Sequence, residues 1–437
     1  MDSTSSNKPK GQRVFVIGNG MTKFYRPGKH DNDYPQLAKQ AILRALRDAN
    51  IPYSLVESAF AGYVYGDSVC GQRCLYTVGM TGIPLVNVNN NCSTGSSALY
   101  LAAQAVKSGV NDCALAFGFE KMFTGSLQTF FTDRTVPIDT FLIKDNELRG
   151  NAKAPFAPRL FGNAGVEHMQ KYGTTQEHFN KIAWKNHKHS VNNPYSQFRD
   201  EYTLEQIAKS PLIHYPLTKL ACCPTSDGAG AAIVASEDFV KKHGLEDQAV
   251  EIMDIRLMTD FRSTFDDQSS IKLIGFDMTK ACVEKVYQTA GITPKDVQVC
   301  ELHDCFAANE LVTYEALGLC EIGKAGEAID RNDFTYGGKT VVNPSGGLIS
   351  KGHPLGATGL AQCAELCWQV RGMADKRQVK DCKVALQHNL GLGGAVVIAA
   401  YKKYQSGYQK KFRADQTSDP AVLEKFEALE QQERPRL

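Results

Sequence analysis

The chain's candidate chemistry lies in four short stretches. Cys92 follows the run Val86-Asn-Val-Asn-Asn-Asn and precedes the small residues Ser93, Thr94, Gly95, Ser96 and Ser97. Apolar residues then fall at Ala98, Leu101, Ala102, Ala105 and Val106, a spacing that predicts a helix. Cys92 is thus expected at a helix N-terminus, where the dipole and free amides favour an anion. A cysteine so placed is expected to have a lowered pKa and to serve as a nucleophile. The plain alternative is a buried cap residue. The second stretch is His303-Asp-Cys305-Phe306, just after a strand pattern. The third is Ser350-Lys-Gly-His353-Pro-Leu-Gly, entering a helix. The fourth, Gln387-His388-Asn389-Leu-Gly391-Leu-Gly-Gly394, reads as a loop between two strands. Each residue alone reads equally as core, cap or turn. Together they suit covalent acyl chemistry. One thiolate attacks a carbonyl, an imidazole takes its proton, backbone amides hold the oxyanion, and a second acid/base serves the leaving group.

These stretches need a scaffold. Residues 13–18 read as a buried strand, 34–50 as an amphipathic helix, and 58–65, 83–88 and 112–119 as further strands. Strands alternating with helices predict an α/β chain with a largely parallel sheet covered on both faces. From 121 to 220 the pattern breaks into a polar stretch with helical runs at 161–172 and 175–187. Its basic run, Trp184-Lys-Asn-His-Lys-His-Ser-Val-Asn-Asn-Pro194, is either a solvated excursion or part of a lid over a phosphorylated ligand. Insertions of this length inside a compact domain are usually functional.

The second half repeats the first. A strand at 249–257 and a helix at 278–289 lead to 298–302, which answers 58–65. Residues 340–343 answer 86–89, 383–386 answer 113–116, and 395–400 close the sheet. Gly356-Ala-Thr-Gly359 echoes Cys92-Ser-Thr-Gly95. Two such halves bring equivalent loops face to face at the carboxyl ends of strands, where open α/β sheets bind ligands.

Bulk properties exclude other classes. A net charge of +2 over 437 residues provides no basic field for nucleic acid. No apolar run reaches the ~18 residues of a membrane span. The 13 cysteines are scattered and odd in number, without paired zinc spacing, so a reducing compartment and no metal are expected. Residues 1–11 read as a polar, disordered tail.

The motifs Asn-Asn-Asn-Cys92-Ser-Thr-Gly, His303-Asp-Cys305-Phe, Gly352-His353-Pro-Leu-Gly-Ala-Thr-Gly and Gln-His388-Asn-Leu-Gly391-Leu-Gly-Gly resemble those of the thiolase superfamily, and within it the sterol-carrier type. The resemblance covers about residues 12 to 405. It implies the thiolase fold: two repeated βαβαβαββ halves in α/β/α/β/α layers. The first half is then 12–120 with 221–247, the second 248–404, and 121–220 an inserted loop domain that binds coenzyme A. Residues 1–11 and 405–437 are tails.

The resemblance also implies roles. Cys92 is the acylated nucleophile and His353 activates it. Most thiolases have Asn-Glu-Ala-Phe where this chain has His303-Asp-Cys305-Phe, and a second cysteine where it has Asn389. Cys305 then becomes the acid/base at the α-carbon, and His303 takes over holding a water in one oxyanion hole. The amides of Cys92 and Gly391 form the other hole, and His388 supports that loop. The implied reaction is thiolysis of a 3-oxoacyl-CoA, with coenzyme A as co-substrate and no permanently bound cofactor. Its acyl group is straight-chain, 2-methyl-branched or a sterol side chain. A homodimer is implied. Pro435-Arg436-Leu437 resembles a weak Ser-Lys-Leu address, which points to the peroxisome, with the mitochondrion as alternative. A short capped helix is expected at 419–429. Two other functions remain open: a condensing acyl-CoA synthase, and a scaffold that only binds acyl-CoA or lipid.

Overall fold

Ten strands form one sheet in which the two halves carry the same strand order. In this computed structural model, residues 11–404 are described apart from 124, 125 and 129. The helix expected at 419–429, the tripeptide 435–437 and the tail 1–10 lie outside the described residues. The first half comprises β1 (Val14–Met21), β2 (Ser58–Gly62), β3 (Leu85–Val88), β4 (Cys113–Glu120) and β5 (Gly228–Ser236). The second comprises β6 (Val250–Met258), β7 (Val299–Glu301), β8 (Val341–Val342), β9 (Val384–Gly391) and β10 (Ala395–Lys403). The orders are β3-β2-β4-β5-β1 and β8-β7-β9-β10-β6. Residues Val14, Phe15 and Val16 of β1 pair antiparallel with Ile252, Glu251 and Val250 of β6, joining the halves.

The sheet is mixed rather than largely parallel. Only β2 with β3 and β4, and β7 with β8 and β9, run parallel. The strands nearest the junction are antiparallel. The β9–β10 connection shows why: a turn at 392–394 links them, and a turn that short joins only antiparallel strands.

Helices lie in three layers around the folded sheet. Helix α1 (Tyr34–Ala49) covers β1 and β5 with its expected stripe of Leu37, Ala38, Ala41, Ile42 and Ala45. Asp33 caps its start, and Asn50 ends it in the left-handed conformation. Helix α2 (Thr94–Lys107) is central. The helices that position the site also include α3 (Phe156–Tyr172), α4 (Gln176–Ser190), α5 (Phe276–Ala290), α6 (Ala307–Ala316), α7 (Gly347–Lys351) and α8 (Leu355–Arg371). Helices α2 and α8 pack against each other between the two halves, and every residue of α8 is buried. The polar groups of α8 are paired there: Glu365 with Arg377, Arg371 with Asp48. Helix α5 covers β6 and β10 on the far side.

About half of the 121–220 stretch is helical. Helices α3 and α4 pack on α6, α4 also meets α7, and Phe161, Phe179, Ile182 and Leu217 join the core of the second half. Burying each of these side chains stabilises by about 1.5–3 kcal/mol, so the insertion is no solvated excursion. Its basic run is structural as well. Lys185 is buried against Glu310, and His187 is buried with its Nε2–H donating to the Leu220 carbonyl at 3.0 Å. Burial pushes His189 down to about 3. Lys188 is exposed and lies over the Trp184 ring.

Candidate active site

The nucleophile stretch is built by a turn that needs an asparagine and a glycine. After β3 the chain reverses at Asn91, which adopts φ 50°, a left-handed conformation that asparagine tolerates. Ser93 Oγ and Thr94 Oγ1 donate to the carbonyls of Asn90 and Asn91, and helix α2 begins at Thr94. Gly391 of β9 lies flat against this turn, where a Cβ would strike the Asn90 carbonyl and Ser93. Asn91 Nδ2 donates to the Leu392 carbonyl at 2.9 Å, tying the turn to the end of β9.

The expected lowered pKa at Cys92 is not found. Burial pushes its thiol up to about 12, the Leu392 amide pulls it down, and Glu120 adds to the rise. The thiol at rest is therefore neutral. Desolvation outweighs the helix N-terminus here because the turn is packed beneath β9.

Strand β7 ends at Glu301 and delivers His303, Asp304 and Cys305 to the start of α6. Asp304 accepts from the amides of Leu348 (2.6 Å) and Ile349 (3.2 Å) and from Asn186 Nδ2 (2.8 Å). That carboxylate fastens the Cys305 loop to α7, whose end leads into Gly352 and His353. Segment 222–226 joins the same two loops from another side. Cys222 bridges Phe306, Thr225 bridges His353, and the Cys223 amide donates to the Cys305 carbonyl at 2.9 Å.

Cys92, His303 and His353 each offer an atom within 4.8 Å of the others. The two rings meet edge to face, with centroids 5.1 Å apart. Their tautomers are assigned by their partners. Thr358 Oγ1 donates to the Pro354 carbonyl at 3.0 Å and so accepts from His353 Nδ1 at 2.7 Å. His353 Nε2 then holds a lone pair, and it is buried with no other partner. Asn389 is oriented by Ser96 Oγ, which donates to its Oδ1, and by the Cys92 carbonyl, which accepts from its Nδ2. Its Nδ2 also donates to His303 Nδ1 at 3.1 Å, so His303 carries its proton on Nε2. One imidazole presents a base and the other a donor.

Both rings are neutral. Burial pushes His353 down to about 3, and burial with the neighbouring His353 and His388 holds His303 well below its ordinary value. Cys305 is raised well above the ordinary thiol range, first by burial and then by Cys223 and Cys92. Three ligating atoms this close resemble a metal site in spacing. The His303 Nε2–H does not fit one, since a metal ligand needs the lone pair there.

His388 and Asn389 lie inside strand β9 rather than in a loop. The ring of His388 is buried and held at both nitrogens. It takes the His303 amide on Nδ1 (3.3 Å) and pairs with Thr279 Oγ1 through Nε2 (3.3 Å). Sequence reasoning missed Thr358, Cys223, Glu120 and the Leu392 amide. The Gly356-Ala-Thr-Gly359 motif carries Thr358, but the sequence shows no partner for its hydroxyl, and Cys223 lies in none of the four motif stretches.

A neutral thiol beside an imidazole base, a second thiol and an N–H donor, on a twofold-repeated α/β sheet, define a cysteine acyl-transfer enzyme. The chain matches the family "Thiolase, N-terminal domain" over residues 14–238 and "Thiolase C-terminal domain-like" over 265–400, and it belongs to the thiolase family. It is accordingly an acyltransferase. It is 60% identical over 420 residues to sterol carrier protein 2 of Rattus norvegicus, covering 96% of this chain and 77% of that one. It is 51% identical over 399 residues to the non-specific lipid-transfer protein-like 2 of Caenorhabditis elegans, covering 90% and 97%. Among solved structures, the Ltp2-ChsH2(DUF35) aldolase shares the fold, with a TM-score of 0.76 and 22% identity over 90% of this chain and 98% of that one.

Proposed function

We propose that this thiolase cleaves 3-oxoacyl-CoA by thiolysis through a Cys92 acyl-enzyme. The observation that carries the reading is the pair of opposite tautomers on His353 and His303. His353 Nε2 takes the Cys92 proton as sulfur attacks the 3-oxo carbon, so no resting thiolate is needed. The oxyanion is held by N–H donors: His303 Nε2–H, directly or through a water, in one hole, and the amides of Cys92 and Gly391 in the other. The C2–C3 bond breaks, its electrons pass into the CoA enolate, and the Cys305 thiol protonates C2. Acetyl-CoA leaves, or propionyl-CoA when C2 carries a methyl. Cys305 thiolate then takes the proton of the incoming CoA thiol, whose sulfur attacks the acyl-Cys92. Cys92 leaves and regains its proton from His353. The raised pKa of Cys305 suits the acid role, because the thiol holds its proton until the enolate forms.

Coenzyme A is the co-substrate, bound with help from the 121–220 insertion. The substrates are straight-chain, 2-methyl-branched or sterol side-chain 3-oxoacyl-CoA, and the setting is peroxisomal β-oxidation. A homodimer is supported by β3, which among the described residues ends the sheet without a neighbour on its outer side and leaves Val86 48% exposed.

The test is thiolysis of a medium-chain 3-oxoacyl-CoA by wild type, Cys92→Ala and Cys305→Ala, with mass spectrometry of the trapped acyl-enzyme. Wild type turns over, Cys92→Ala forms no adduct, and Cys305→Ala is far slower. Tight CoA binding with no acylation in wild type would establish the scaffold alternative instead.

A further inference from the structure

The site holds a buried carboxylate that the reaction above does not use. Glu120 ends β4 and is fully buried. Its oxygens accept from the amides of Tyr65 (2.7 Å), Val64 (3.2 Å) and Gly356 (2.9 Å). The first two follow β2 in the first half. The third lies in the first turn of α8 in the second half, three residues after His353. One side chain therefore ties the sheet that presents Cys92 to the helix that follows the base.

The contact depends on bare backbone. Gly356 meets β2 and β4 so closely that a Cβ on it would strike the carbonyls of Phe119 and Gly62, and a Cβ on Gly118 would strike the Gly356 carbonyl. The helix start is thus pressed onto the ends of both strands, and the Glu120 side chain lies at that crossing. A carboxylate there also complements the positive end of the 17-residue helix α8.

We propose that Glu120 is a positioning residue for acyl transfer: as a carboxylate it holds the start of α8, and through it His353, in register with Cys92. This rests on the acyl-transfer reading of the same site. Burial pushes Glu120 up to about 7, the three amides pull it down, and Asp227 pushes it further up. The other titratable groups that face it are Cys92 and Tyr65, both raised by its charge. Asp227 is itself held by His30 and Lys121. The amide hydrogen bonds from Val64, Tyr65 and Gly356 favour its ionised form.

Two assays with Glu120→Gln and Glu120→Asp decide it. In steady-state thiolysis, Glu120→Gln lowers kcat about 10- to 100-fold, the scale of a small misplacement of catalytic groups, with KM for the acyl-CoA little changed. Glu120→Asp recovers part of the loss. The second assay needs no substrate: alkylation of Cys92 by iodoacetamide across pH 6 to 8.5. The ratio of the Glu120→Gln rate to the wild-type rate changes through about pH 7, because only wild type gains a charge there. A constant ratio overturns the proposal, as does an unchanged kcat in an enzyme that turns over. If Glu120→Gln does not fold, Glu120→Asp must show its own step in alkylation rate near neutrality, and its absence overturns the proposal. A wild type that never acylates refutes the thiolase reaction instead, while the alkylation ratio still reports on Glu120.

Discussion

Thr358 accepts the Nδ1 proton of His353 at 2.7 Å and thereby leaves Nε2 with a buried lone pair that has no hydrogen-bond partner. The threonine can do this because its own proton is committed to the Pro354 carbonyl. Thr358→Val keeps the shape and removes the acceptor. Its acylation rate should fall by about 10- to 100-fold, part of the 10²–10⁴ a positioned base supplies. Stopped-flow acylation with acetoacetyl-CoA measures it. A variant as fast as wild type would mean that His353 is fixed by something else.

Asn389 sets the opposite tautomer on His303. In Asn389→Asp the carboxylate accepts from His303 Nδ1, and the lone pair moves to Nε2. Loss of that donor should lower kcat by about 10²–10³-fold, as for other oxyanion-hole donors. The same change turns Cys92, His303 and His353 into three lone-pair ligands. The variant should therefore show zinc binding reversible by EDTA that wild type lacks, read by calorimetry. Equal zinc affinity in the two proteins would contradict the tautomer assignment.

The pH response of acylation follows from the neutral pair. His353 titrates only near 3 and Cys92 only near 12, so the base is present and the thiol protonated across about pH 5 to 9. Neither gives a limb in that range. Protonation of Glu120 below about 7 withdraws an acceptor from α8, so the rate rises with pH through about 7. A pre-steady-state profile from pH 5.5 to 9 checks this. A limb near 8.5, the ordinary thiol value, would show that Cys92 is less buried than found.

Lys351 lies at the end of α7, two residues before His353, and is buried against Glu301 at 3.0 Å and Ser345 Oγ at 2.7 Å. Lys351→Met leaves Glu301 buried without its cation. Breaking such a pair costs about 3–5 kcal/mol. The expected outcome is a clearly lowered melting temperature by calorimetry, with activity lost in parallel. An unchanged melting temperature would mean that Glu301 takes up a proton at little cost.

The sequence by itself determined the repeat, the family and three of the four motif-bearing loops, the fourth motif lying largely inside β9. Local patterning is enough for these, because strand and helix periods and the Cys92, His303, Cys305 and His353 motifs are written in contiguous residues. The sheet's direction was not legible, since it depends on which strands meet at the β1–β6 junction. Cys92 shows the same limit. Its helix N-terminus was readable, yet the weight of β9 lying over the turn reversed the expected pKa shift. Tertiary structure alone decided the partners of the reactive groups. Thr358 lies near His353 in sequence, but Asn389 is far from both His303 and Cys92, and Glu120 is 236 residues from Gly356. Hydrogen bonds between such distant positions arise only when the two halves close on α2 and α8. Those bonds choose which nitrogen holds a proton, and so which imidazole offers a lone pair and which an N–H.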